Sequence, residues 1–164
     1  MTRRALPPVA DFAAVLPTPT FALGVRCTED EITEIVYLEP CAEIKPQTPL
    51  AREAVRQLCA YLKDARFAFS LPLQPKGTPF QRRVWAGIAS IPTGETKAYG
   101  ELAQTIGSGP RAVGNACGAN PYPLVVPCHR VVAANQGLGG FARQRGGFLL
   151  DVKRWLLAHE GVRH

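Results

Sequence analysis

The sequence predicts an α+β fold: a small antiparallel sheet with one covering helix over residues 1–76, then a helical domain containing a helix-turn-helix over residues 77–164. Three observations predict it. Strand-like stretches separated by short polar turns fill residues 12–38, apolar residues four apart follow the Pro40–Pro49 connector, and beyond Pro72, Pro75 and Gly77 short helices are punctuated by glycine and proline. With 164 residues, 46% of them apolar, the chain can bury a core in one or two small domains.

Composition narrows the function. No run approaches the roughly 18 apolar residues of a membrane span. Met1-Thr2-Arg3-Arg4 leads into proline-broken sequence rather than a signal-type apolar region, so a cytoplasmic location is expected. The five cysteines (Cys27, Cys41, Cys59, Cys117, Cys128) are odd in number and unpatterned, which argues against a disulfide framework and predicts mostly buried thiols. A net charge of +6 favours a polyanionic partner, nucleic acid ahead of an acidic membrane surface.

Residues 1–10 carry Arg3, Arg4 and Pro7-Pro8 without periodicity and read as a loose basic arm. Strands are expected at Phe12–Leu16, Phe21–Arg26 and Ile32–Leu38, the last with apolar residues on both faces, in an antiparallel meander. From Leu50 to Lys63, Leu50, Ala54, Leu58 and Leu62 form a helical stripe suited to covering that sheet. Phe67, Phe69 and Leu71 alternate as a short strand would.

Thr78-Pro79-Phe80-Gln81 has the form of a capping box with proline at the first helical position, and Phe80, Val84, Ile88 and Ile91 continue that helix to Pro92. A second helix spans Tyr99 to Ile106. Gly107-Ser108-Gly109 makes a tight turn, and Pro110 opens a third helix closed by Asn120-Pro121, completing a helix-turn-helix pattern. Ala112, Gly114, Ala116, Gly118 and Ala119 leave that third helix small-sided, with only Arg111 and Asn115 long enough to read base edges. Two glycines cost roughly 1 kcal/mol each against alanine, so either tight packing on a neighbouring helix or close approach to a nucleic-acid groove must motivate them. A last helix runs from about Leu149 to Glu160, with Leu149, Val152 and Leu156 inward and Gly161 stopping it. Glu160 opposes the helix dipole there, and a solvated glutamate near Arg163 would explain it blandly.

Pro127-Cys128-His129-Arg130-Val131 carries the chemistry, directly after the apolar run Leu124-Val125-Val126. A thiol with a pKa of about 8.5 needs a base or cation to act as a nucleophile at neutral pH, and His129 and Arg130 offer both. Pro127 disfavours helix at Val126, so the chain should turn sharply out of a strand-like run and bring Cys128 toward His129, directly or through water. The pair by itself equally suits a small buried thiol beside a core histidine, a cysteine hydrolase, or a helix-turn-helix recognition protein in which the thiol does nothing.

Taken with Arg111-Ala112-Val113-Gly114, Asn120-Pro121 and Trp155-Leu156-Leu157-Ala158-His159-Glu160-Gly161, the Pro127–Val131 motif resembles the O6-alkylguanine-DNA alkyltransferase (methylated-DNA–protein-cysteine methyltransferase) family. The match is close over Gly77–Gly161. Before it only the architecture agrees, which the resemblance gives as ribonuclease-H-like, with a winged-helix-like domain following. The implied activity is irreversible, stoichiometric transfer of a methyl or alkyl group from O6-alkylguanine, and from O4-alkylthymine, in double-stranded DNA to Cys128. His129 would act through a water as the base, Glu160 would orient and charge the imidazole, Asn120 would brace the thiol's turn, and Tyr99 would donate a proton toward the leaving base. Arg111 would fill the stack left by the flipped nucleotide, with Ala112, Gly114, Asn115 and Arg130 also against DNA. Backbone of Cys128 and Val131 would read the base edge. The resemblance implies no cofactor and no metal, a monomer, and possible cooperative assembly on DNA.

Two departures from the family stand out. Phe141 occupies a position where tyrosine is common, so Phe141 and Ala142 are expected to wall the substrate pocket with Ala142 N–H as the donor to O6. The loop is also longer, with Arg143-Gln144-Arg145 before Gly146-Gly147, and Arg143 and Arg145 are expected to meet phosphate. Cys27 and Cys41 are widely spaced and no histidine precedes His129, so a zinc tetrad is not expected.

Overall fold

The computed structural model describes residues 11–133 and 147–162. Strands β1 (Ala14–Pro17), β2 (Ala22–Cys27) and β3 (Ile32–Leu38) pair in sequence order as an antiparallel meander. β1 starts later than its hydrophobicity suggests, because Phe12 packs with Val15, Ala22 and Leu38 in a small cluster instead of continuing the ladder. A Cβ on Gly24 would lie 2.7 Å from the Phe12 ring, so glycine is what lets the ring cross β2. Register shifts between Arg26 and Cys27, which leaves Thr33 unpaired and turns both Ile32 and Ile35 into the main core. That irregularity underlies the two-sided burial expected of β3.

Helix α1 (Pro49–Lys63) is capped by Thr48, whose hydroxyl accepts from Ala51 N at 3.2 Å, and it lies on the sheet. Its buried residues are Ala51, Ala54, Gln57, Leu58 and Tyr61, so the inward stripe drifts from the strict four-residue spacing, as a 3.6-residue turn requires. Phe67–Leu71 does not form the expected strand. Gln57 serves this segment where a neighbouring strand would: Ser70 N donates to Gln57 Oε1 at 2.9 Å, and only Leu73 bridges to Ile32. The Phe67 and Phe69 rings pack edge to face at 5.5 Å.

Helix α2 (Pro79–Ala89) begins with the reciprocal Thr78–Gln81 capping box and buries Val84, Trp85 and Ile88. Trp85 Nε1 donates to Ala116 O at 2.8 Å, pinning α2 to the small-sided helix α4 (Pro110–Gly118). Helix α3 (Tyr99–Ile106) precedes α4, and Gly107 between them takes φ +79 to end α3. A two-residue parallel pair escapes sequence periodicity: β4 (Lys97–Ala98) lies beside β5 (Val131–Val132), Lys97 opposite Val131 and Ala98 opposite Val132. Since β4 runs straight into Tyr99 and β5 follows Arg130, this pairing carries Tyr99 to the Cys128 turn. Helix α5 (Phe148–His159) closes the chain with Glu160 as its cap residue.

One continuous core joins Phe21 just before β2, Leu23 and Ile35 of the sheet, Leu58 and Tyr61 of α1, and Val84, Leu102, Val113, Cys128 and Leu156 further along. Among the described residues no helix is long and apolar enough to cross a membrane. All five cysteines are free, but only Cys128 is fully buried. The expectation of mostly buried thiols therefore fails for Cys27, Cys41, Cys59 and Cys117, which are partly exposed.

Candidate active site

The thiol is carried by tight turns rather than by the end of a strand. Leu124 holds φ 76, unusual for a branched side chain, while Val126 N bonds to Tyr122 O at 2.8 Å. The apolar run is thus a turn that buries Leu124 and packs the partly exposed Val125 and Val126 against the core. Pro127 (φ −81, ψ 67) then forms an inverse γ-turn closed by Cys128 N donating to Val126 O at 2.8 Å. A single 3-10 turn, Cys128–Arg130, follows, with all three side chains buried.

Asn120 ties this geometry together. Its Nδ2 donates to Val126 O at 2.9 Å and to Cys128 Sγ at 3.2 Å, while its Oδ1 accepts from Tyr122 N at 2.9 Å. Cys128 Sγ lies 3.7 Å from the carbonyl of Cys117 and within hydrogen-bonding reach of its thiol. That thiol contact, together with burial, pushes the Cys128 pKa well above the ordinary range, against weaker opposing pulls from Asn120 and Lys153. The same hydrogen bond holds Cys117 below its ordinary value. At rest Cys128 is therefore a protonated thiol in need of a base.

His129 is completely buried and its Nε2 lies 2.7 Å from Glu160 Oε2. Burial would raise the Glu160 pKa, but hydrogen bonds from His129 and Arg130, joined by Tyr61, outweigh it and hold the carboxyl at about 2. An ionised carboxylate only accepts, so Nε2 carries the imidazole proton and Nδ1 keeps its lone pair. Nδ1 is buried without a hydrogen-bond partner among the described residues. Burial, joined by the nearby Arg130 and Lys153 charges, lowers the His129 pKa despite the hydrogen bond and charge of Glu160, so the ring is neutral at neutral pH. Glu160 thus orients the imidazole without charging it. Nor is Glu160 the solvated residue its helix position suggests: Arg130 reaches it through Nε at 2.8 Å and Nη2 at 3.0 Å, and Tyr61 Oη donates at 2.6 Å.

Arg130 is the clear correction among the residues assigned to DNA. Its guanidinium is consumed by Glu160, Ile91 O (2.7 Å) and Thr93 Oγ1 (3.1 Å), and its side chain is 11% exposed. Arg111 and Asn115, in contrast, are exposed on α4, with Ala112 and Gly114 partly exposed between them. A Cβ on Gly114 would meet nothing within 4 Å, so helix packing does not explain that glycine. Tyr99 opens α3 partly buried, its pKa raised by burial and then by the nearby Cys117 and Cys128. Val131 is buried in β5. Phe141, Ala142, Arg143 and Arg145 lie outside the described residues, as do the basic arm and Arg163.

Four further residues belong to the site. Lys153 is fully buried, donates to Val131 O at 2.8 Å, and has its pKa pulled down by burial to about 8. It was legible: Leu149, Lys153, Leu156 and Glu160 share one helical stripe, and charges on an apolar stripe are exceptional. Cys117 and Tyr37 line the Cys128 cleft, and Tyr61 reaches Glu160 from 99 residues away. No local pattern announces those three.

Comparison with known proteins gives one consistent result. Residues 79–162 match the family model described as 6-O-methylguanine DNA methyltransferase, DNA binding domain. A methylated-DNA–protein-cysteine methyltransferase of Methanosarcina acetivorans is 47% identical over 112 residues, covering 67% of this chain and 69% of its own. A probable methylated-DNA–protein-cysteine methyltransferase of Acanthamoeba polyphaga mimivirus is 41% identical over 136 residues, covering 81% and 84%. Among solved structures, Mycobacterium tuberculosis OGT in complex with DNA superposes with a TM-score of 0.73 at 37% identity, covering 89% of this chain and 90% of that one.

Proposed function

The chain belongs to the methylated-DNA–protein-cysteine methyltransferase family, and from that premise we propose that it repairs O6-alkylguanine in double-stranded DNA by moving the alkyl group onto Cys128. The observation that carries this reading is the buried thiol gripped by Asn120 on the same turn as a neutral imidazole, whose Nε2–H is fixed by Glu160 and whose Nδ1 is left basic.

The thiol proton passes through a water to His129 Nδ1, Sγ attacks the alkyl carbon in line, the Sγ–C bond forms and the C–O6 bond breaks. Guanine departs with the electron pair, Tyr99 supplies a proton to the ring as charge collects there, and the proton held by His129 returns through solvent to the Tyr99 hydroxyl. Reagents balance with thiol and alkylated base alone, so no cofactor is required. The product is a thioether with no good leaving group, which makes the protein single-use. O4-alkylthymine presents the same oxygen-linked alkyl group and is a second substrate.

O6 lies inside the duplex, so the nucleotide must flip out, at a cost of a few kcal/mol. Arg111 fills the gap. Ala112, Gly114 and Asn115 form the surface around it, and the small side chains let α4 press its backbone toward the minor groove without reading sequence, as befits lesions in any context. Backbone of Cys128 and Val131 contacts the base edge, Phe141 and Ala142 close the pocket, and Arg143 and Arg145 meet phosphate. The division at residues 76 and 77, into a ribonuclease-H-like unit and a winged-helix-like unit, belongs to this reading, as do a cytoplasmic location, a monomeric state and assembly along DNA.

Incubating the protein with a duplex containing O6-methylguanine and measuring intact and peptide mass tests the proposal. One added methylene on the Cys128 peptide, with guanine restored, is expected. Tight binding with no adduct would reduce the protein to a recognition module, and methyl release into solution would make it a hydrolase.

A further inference from the structure

Glu160 Oε2 is shared. It accepts from His129 Nε2 at 2.7 Å, from Arg130 Nη2 at 3.0 Å, and from the hydroxyl of Tyr61 at 2.6 Å. The last donor comes from the final turn of α1, a segment to which neither the resemblance nor the family model, which begins at residue 79, gives any part in the chemistry. Tyr61 is 1% exposed, and the C-terminal end of α5 is tied to it twice. His159 Nε2 donates to Tyr61 O at 2.8 Å, so two consecutive residues, His159 and Glu160, are fixed by the backbone and side chain of one tyrosine. The His159 ring in turn stacks on Trp155 at 5.0 Å, and Trp155 packs edge to face on Phe21 of the sheet side at 5.3 Å.

We propose that Tyr61 is a positioning residue of the acceptor site: by donating to the oxygen that also receives His129, it draws charge from the carboxylate and sets how strongly Glu160 supports a proton on the imidazole. This inference rests on the reading of His129 as the relay base. A carboxylate oxygen with three donors offers each less charge than one with two, so loss of the Tyr61 hydroxyl makes Glu160 a stronger partner for His129 and stabilises imidazolium. The relay then grips its proton harder at rest, and the neutral imidazole needed to take the thiol proton becomes scarcer at a given pH. Among the described residues, the other ionisable groups facing this pair are Arg130 on the same turn and Lys153 on α5, with Tyr37 of β3 near Glu160 and Tyr61. None of them is altered by the substitutions below.

The experiment is an NMR titration of the His129 ring in the full-length protein without DNA, compared among the parent, Tyr61→Phe and Tyr61→3-fluorotyrosine. The phenylalanine variant keeps the ring volume and deletes the donor, and its His129 midpoint should rise by about half a unit or more. The fluorinated variant strengthens the donor in place and should move the midpoint the other way, which keeps the test decisive even if Tyr61→Phe folds poorly. Coincident midpoints in the folded variants overturn the proposal. Single-turnover transfer measured across the same pH range separates it from the relay reading. If the His129 midpoint moves while the pH dependence of transfer stays put, Tyr61 tunes the imidazole but the imidazole is not the base.

Discussion

At Cys128 the surroundings oppose ionisation at rest, and the nearest cause is the neighbouring Cys117 thiol, ahead of burial. A protonated acceptor is protected from oxidation until a substrate is seated, since reactivity follows the thiolate. Replacing Cys117 with alanine should therefore lower the pH midpoint for iodoacetamide modification of Cys128 without lesion present. A midpoint that stays unchanged or rises would remove Cys117 from the account. At this scale the sequence was informative wherever a residue lay in a compact motif: Cys128, His129 and Asn120 sit within nine positions of one another. It misled at Arg130, because adjacency to a reactive pair says nothing about which way a side chain points in a 3-10 turn. It was silent on Tyr61, whose role depends on a contact across 99 positions.

Among the elements, α4 is where composition and position carry different meanings. Trp85 Nε1 bonds to Ala116 O on its inner side, whereas a Cβ on Gly114 would face open space. Gly114→Ala should stabilise the free protein, by roughly 1 kcal/mol from helix propensity. If α4 meets the groove as proposed, the same change should weaken binding to duplex DNA, since the added methyl then stands in the contact. Denaturant unfolding and a DNA titration on one preparation read both, and unchanged affinity would place the contact elsewhere on the surface. The helices α1 to α5 were legible from spacing, caps and prolines, as strong local signals are. The β4–β5 pair was not, because two residues have no period, yet its register is what brings Tyr99 to the thiol. The Leu124–Val126 run reads as a strand for the opposite reason: apolarity reports packing against the core, and a turn that packs there is as apolar as a strand.

For the whole molecule, the Glu160 network couples stability to pH because its members come from α1, the Cys128 turn and α5. The folded Glu160 carboxyl is held at about 2 against an ordinary 4.5, so its contribution is complete above pH 4.5 and is lost as pH falls toward 2. His129 is held below its ordinary 6.5, so the unfolded chain takes up that proton first and stability begins to fall once pH drops below 6.5. Urea unfolding should show a decline starting near the histidine value and steepening below the carboxylate one. Glu160→Gln should flatten the acid limb while costing about 3–5 kcal/mol at neutral pH, because Arg130 is left buried without its counter-charge. An acid limb as steep in that variant as in the parent would contradict this coupling. The bulk charge of +6 pointed to a polyanion but could not locate it. The exposure of Arg111 and Asn115 on one helix supports the proposal that α4 is where it binds.

Counting repaired guanines per protein molecule, with O6-methylguanine duplex in large excess, tests whether Cys128 is a one-use acceptor. A plateau at one guanine restored per chain is expected, reached together with complete conversion of Cys128 to its S-methyl form. Continued repair beyond one per chain, or repair with Cys128 still a free thiol, would contradict it.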